Sequence, residues 1–217
     1  MKTLIRIGLI IMVAAISVGC QTIRGSGTIV EESRGVRDFH AIQLDGSGIV
    51  HVSLGDTEAL TVSADDNIMG YIETTVSNGR LELTTRNNGT LIPSEPIIYT
   101  LTLIELDGIE LNGSGQINIT EIDTDELTVE ISGSGDITVT GNVEELDIML
   151  SGSGNFIEQG LESHSASVNV SGSGDVAVNV ISDLNVSISG SGDVNYTGSP
   201  SVSQTVSGSG SIREMNN

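Results

Sequence analysis

Tryptophan is absent, cysteine occurs once, and the only lysine is Lys2. A single cysteine excludes an internal disulfide, so nothing covalent staples the fold. Aromatic residues make up 2% of the chain against 37% hydrophobic residues, so any core is built from Val, Ile and Leu rather than rings. Those are strand-forming side chains, and 27 glycines supply turns between strands. Positive charge is also scarce. Eight Lys and Arg stand against 29 Asp and Glu, for a net charge of −21. A surface this acidic excludes nucleic acid and anionic headgroups as electrostatic partners, and it has no polybasic patch to reinforce a membrane contact.

The first twenty residues follow another rule. MKTLIRIGLIIMVAAISVGC places Lys2 and Arg6 before an apolar run over 7–16, then small residues that end at Cys20. That order is a signal peptide over 1–19, and the run is too short to span a bilayer. Its loss takes the net charge from −21 to −23. Val18, Gly19 and Cys20 resemble the lipobox of bacterial lipoproteins, although Ser17 stands where leucine is usual. The resemblance implies that Cys20 becomes the first residue and carries lipid, with residues 20–24 as a short linker. Gln21 is not the aspartate associated with inner-membrane retention, so an outer-membrane lipoprotein is implied.

The remainder, 25–217, reads as one domain built on a repeated tripeptide. GSG begins at Gly25, Gly46, Gly113, Gly133, Gly152, Gly172, Gly190 and Gly208, with the later units spaced 18 to 20 residues apart. Two, four and six positions before Gly152 stand Leu150, Ile148 and Leu146. Before Gly172 stand Val170, Val168 and Ala166, and before Gly190 stand Ile188, Val186 and Leu184. Four positions after each glycine come Val50, Ile117, Ile137, Phe156, Val176, Val194 and Ile212. Period two on both sides of a fixed turn predicts two short strands per unit with one face inward. One unit cannot bury its own face, so units stack as an all-β solenoid with GSG corners every 18–20 residues.

Stacked corners leave little room for side chains, which explains the glycines, and glycine also accepts positive φ. Ser134, Ser153, Ser173, Ser191 and Ser209 are expected to form a ladder along the axis. The opposite corners, such as TEIDTDE at Thr120 and QGLESHS at Gln159, read as acidic loops facing solvent. The interval from Gly46 to Gly113 leaves room for about three further units with different turns. Within it Asn78-Gly79 marks a tight turn and Pro93 and Pro96 flank a loop.

Chemistry is harder to find. His40, His51 and His164 lie far apart in sequence and bring no cysteine with them, which argues against a zinc site. His51 falls between inward Val50 and Val52 and so faces solvent. Asp136, Asp175 and Asp193 each follow a GSG, with Asn155 and Gln116 at equivalent places. Coils stack about 4.8 Å apart, so this column brings carboxylates side by side. It is the candidate for weak calcium binding, but one carboxylate per coil falls short of a full oxygen shell, and simple solvation is the expected state. A nucleotide-binding glycine loop needs a following helix, and the serines here occupy corners rather than a strand-to-helix elbow. No cofactor is expected.

The whole pattern resembles the GIN domain family of adhesin heads. RDFHAIQLDGSGIVHVSLGD opens the resemblance and LTVSADDNIMGYIETTVSNGRLELTT carries its most specific part. PIIYTLTLIELDGIELNGSGQI then leads into the serial SGSGD units. The resemblance implies a right-handed parallel β-helix or β-roll, a bacterial envelope location and no catalytic residues. The expected function is therefore a non-catalytic binding or adhesion domain, tethered to the membrane through Cys20, with an unidentified protein or glycan ligand. The alternatives are a structural envelope scaffold and a polysaccharide-active β-helix enzyme. Against the enzyme, the repeat region offers no basic side chain except Arg213 to act as base or substrate clamp.

Overall fold

A computed structural model describes residues 22–86 and 90–215. The leader 1–19 and Cys20 lie outside the described residues. Four long strands form the regular part: β11 (Gln116–Ile131), β12 (Asp136–Leu150), β13 (Asn155–Val170) and β14 (Val176–Ile188). Each pairs in parallel with the next. Each also folds over midway, so its first half stacks on one wall and its second half on the other. The chain is a β-solenoid of about five turns.

Burial follows the period-two pattern. Ile131, Val129 and Leu127 are buried, as are Leu150, Ile148 and Leu146 one coil on. In register these residues make columns through the core. Val129 stands opposite Ile148, Ile148 opposite Val168, and Val168 opposite Val186. Apolar burial of this kind contributes about 25 cal/mol per Å² and is the main favourable term. Apart from Phe39, Tyr99 and Phe156 the buried hydrophobic side chains are aliphatic or, at Met69, a thioether, as the composition requires.

At the corners the glycines are required by close approach. A Cβ on Gly133 would lie 1.9 Å from the carbonyl oxygen of Gly113, and one on Gly152 would lie 1.9 Å from that of Gly133. Among the GSG corners positive φ occurs at Gly27 (83°), Gly46 (131°) and Gly48 (154°), and the later stacked corners do without it. The serine ladder runs through main chain rather than hydroxyls. Ser134, Ser153, Ser173, Ser191 and Ser209 donate their backbone N–H to Gly113, Gly133, Gly152, Gly172 and Gly190, while their side chains face solvent.

Opposite the GSG corners the expected loops are absent. The strands run through, with register shifts between Ile119 and Ile122 and between Val139 and Gly141. Gly141 (φ 122°) and Glu121 (φ 57°) absorb these bulges.

The interval between Gly46 and Gly113 also differs from expectation. Instead of three more units it holds an antiparallel cap. The chain begins with β1 (Thr22–Arg24) and β2 (Ile29–Arg34), and lays down β3 (Ala41–Leu44) and β4 (Ile49–Leu54) around the first stacked corner. It then departs through β5 (Ala59–Asp65), the short helix α1 (Asp66–Met69), β6 (Ile72–Ser77), β7 (Arg80–Thr85), β8 (Thr90–Ile92) and β9 (Ile98–Leu103). It rejoins the stack at β10 (Gly108–Leu111). β5 pairs antiparallel with both β2 and β9, and β6 pairs antiparallel with β7 across the Asn78-Gly79 turn. β7 and β9 then pair in parallel with β3 and β4. The far end carries β15 (Val194–Gly198), β16 (Ser201–Val206) and β17 (Ile212–Glu214), all parallel to their neighbours.

Candidate functional site

Asp136, Asn155, Asp175, Asp193 and Ser211 each stand three residues after a corner glycine, at or just before the start of a strand, and so fall in one column on the outer wall. The structure brings these residues together, but in an order the sequence did not reveal. Asp136 Oδ1 accepts the backbone N–H of Asn155 at 3.1 Å and its side-chain amide at 2.8 Å. Asn155 Oδ1 accepts the N–H of Asp175 at 3.0 Å. Asp175 Oδ1 accepts the N–H of Asp193 at 2.8 Å. Asp193 Oδ1 accepts both the N–H and the hydroxyl of Ser211 at 2.8 Å, while Arg213 reaches its other oxygen at 3.0 Å. Every acceptor points one coil onward.

This direction settles the expected repulsion. Each carboxylate faces a backbone N–H rather than its neighbour's charge, and charge-assisted bonds of this type are the stronger kind. The Ser211 hydroxyl and amide, followed by Arg213, hold Asp193 below the ordinary carboxylate value of 3.8. Among the described residues, no group of three or more His, Cys, Asp or Glu comes together in a way that could hold a metal ion. The column therefore offers at most one partly engaged carboxylate per coil, and none at Asn155 or Ser211.

The three histidines stay apart. His40 Nδ1 pairs with Asp107 Oδ1 at 2.8 Å. His51 is exposed, as its place between Val50 and Val52 predicts. His164 lies in a shallow groove of about 600 Å³ at the bulged corners, beside Asp123, Asp125, Glu144 and Glu162. A second groove, about 390 Å³, follows the other wall past Glu130, Met149, Asn169 and Ser187. It is bordered by the serines that precede each GSG, among them Ser151 and Ser171.

One important carboxylate was invisible in the sequence. Asp65 sits in the run ADDN, which reads as an acidic surface turn, yet it is fully buried. It accepts the Gly27 N–H at 2.8 Å, the Ser94 N–H at 2.9 Å and the Ser94 hydroxyl at 2.6 Å. The Ser94 bonds hold it below its ordinary value. The corner at Gly25, expected to stack on another glycine, packs on this side chain instead. A Cβ on Gly25 would lie 2.2 Å from Asp65 Oδ2. Asp65 thereby ties the first corner to the loop at Pro93, and β1 pairs in parallel with β8 beside it.

Residues 38–200 match the family described as "Putative auto-transporter adhesin, head GIN domain". No curated protein matches the chain. Among solved structures, a "putative adhesin" from Bacteroides fragilis NCTC 9343 is similar with a TM-score of 0.72 and 21% identity, covering 89% of this chain and all of that one. A "putative lipid binding protein" from Parabacteroides distasonis ATCC 8503 is similar with a TM-score of 0.63 and 22% identity, covering 90% of this chain and all of that one. A "putative adhesin" from Parabacteroides merdae ATCC 43184 reaches a TM-score of 0.52 at 20% identity, covering 90% and 99%. At these identities the likeness establishes a shared fold.

Proposed function

Because the chain belongs to the GIN-domain family of adhesin heads, we propose that it is a lipid-anchored envelope protein that binds or adheres through its outer walls, without catalysis. The observation that carries this reading is the outer wall itself. Its side chains repeat coil after coil in columns, and the Asp136 to Ser211 column is locked in place by backbone bonds. A rigid array of polar groups with little conformational entropy left to lose is suited to binding an extended protein or glycan surface. The scarcity of basic side chains argues against a lyase.

The anchor is Cys20, which precedes β1 by a single intervening residue. Two lipid-chain signals on one cysteine give the stable residence that one chain does not, and Gln21 favours the outer membrane. Labelled palmitate and membrane fractionation test the anchor: Cys20→Ala loses the label and leaves the membrane. Retention of both in that variant refutes it. Crosslinking on intact cells, followed by identification of what is joined to the outer walls, tests the binding role. A protein that crosslinks to nothing and whose deletion leaves adhesion unchanged is no adhesin.

A further inference from the structure

The two ends of the solenoid are built differently. At the N-terminal end the edge strands carry charge, with Glu31, Glu32 and Arg34 on β2 and Glu73 on β6. Charged edges resist pairing with another sheet. The C-terminal end is open. β16 reads SVSQTV, and all six of its residues are exposed. Val202 and Val206 occupy inward positions, opposite Leu184 and Ile188, yet remain 36% and 44% exposed. From Val194 to Ile212 there is no charged residue, in a chain whose net charge is −21.

We propose that β16 joins a second copy of this chain, tip to tip, by antiparallel pairing about a two-fold axis at Gln204. The register is self-complementary. Centred on Gln204, it sets Val202 of one copy opposite Val206 of the other, and Ser203 opposite Thr205. The two Gln204 carboxamides then meet and exchange hydrogen bonds, each with a donor and an acceptor. Gln204 stands opposite Val186, at the end of the column in which Val129, Ile148 and Val168 are all apolar. A polar residue that can pair with itself fits a symmetric joint.

A second copy suits the site better than a charged partner, because the patch is uncharged while the body around it repels other acidic surfaces. Head-to-tail stacking is opposed by the charged edges of β2 and β6, so the isologous contact, which closes on itself, remains. The other wall stays apart. β17 carries Arg213 and Glu214, and an antiparallel joint centred on it would set the two Arg213 side chains opposite each other. The joint is therefore confined to β16, and the dimer is weak and concentration-dependent. With the two N-terminal ends pointing away from each other, the contact would link two apposed membranes, a consequence that rests on the Cys20 anchor proposed above.

The test uses the full-length chain in detergent. On mild oxidation Gln204→Cys gives dimers linked through residue 204, located by peptide mapping, whereas Ser26→Cys, at the opposite end, gives none linked through residue 26. Gln204→Lys and Val202→Lys abolish the dimer in sedimentation velocity while circular dichroism stays unchanged. A chain monomeric at all concentrations, equal crosslinking at Ser26→Cys, or capture of a different extended chain at β16 overturns the proposal. Reconstituted vesicles separate it from the anchor reading. Failure to float with vesicles defeats the anchor alone, and vesicles that carry wild type but do not cluster defeat the tip contact.

Discussion

Ser114 donates its backbone N–H to the carbonyl oxygen of Gly46 at 2.9 Å, although β4 to β10 separate them in sequence. Gly113 stacks on the same residue so closely that a Cβ there would lie 1.8 Å from the Gly46 oxygen. The second corner of the stack is thus laid upon the first only after the chain has built its cap. The cap strands β7 and β9 pair with the other side of that first coil, along β3 and β4, and the regular array grows from the side they leave free.

The corners tolerate no side chain. Gly133→Ala forces a Cβ into the Gly113 carbonyl, and overpacking of this kind costs about 1–3 kcal/mol or more. Gly35→Ala, with nothing within 4 Å of its Cβ position, changes stability by less than about 0.5 kcal/mol. Urea melts of the two variants make the comparison. Equal midpoints would mean that the coils relax apart at the corner.

Strand register predicts a sharp contrast between neighbours. Ile148 is fully buried and Asp147 is exposed. Ile148→Asp buries a carboxylate without a partner and costs several kcal/mol, about 3 or more. Asp147→Ala stays within about 0.5 kcal/mol as a surface change. Denaturant unfolding of both tests the register, and a sensitive Asp147 would place it one residue off.

Acid should open the molecule through two carboxylates. Asp65 and Asp193 both have folded-state values below the ordinary 3.8. A depressed value means that the native state binds the proton less readily than the unfolded chain. Their stabilisation is fully present above about pH 4 and is lost as pH falls through the lowered values. Asp65→Asn loses stability at neutral pH and shows a shallower decline on acidification. Thermal melts from pH 7 to pH 2 decide the point, and an unchanged acid slope in Asp65→Asn would remove Asp65 from the account.

The acidic column should behave as a hydrogen-bond ladder rather than an ion site. Asn155 already does with a carboxamide oxygen what its neighbours do with carboxylates. Asp175→Asn should therefore be nearly silent, whereas Asp175→Ala removes the acceptor for the Asp193 N–H and costs about 1 kcal/mol. Calcium should add no stability beyond sodium chloride at matched ionic strength. A calcium-specific rise in melting temperature, lost in Asp175→Asn, would reverse this assignment.

The sequence alone determined whatever depends on near neighbours. Alternation at Leu146, Ile148 and Leu150 sets which face is inward, because successive side chains of a strand point to opposite sides. The recurrence of GSG sets the coil length, because a Cβ at the corner has nowhere to go. The outward place of His51 follows from the same alternation. Tertiary structure decided what depends on distant partners. The stacking of Gly113 on Gly46, the burial of Asp65 beneath the first corner and the one-way bonding of Asp136, Asn155, Asp175 and Asp193 leave no local pattern. An aspartate in an acidic run reads as solvated until a folded chain supplies it with N–H groups. Those donors come from Gly27 and Ser94, residues that only the cap brings together.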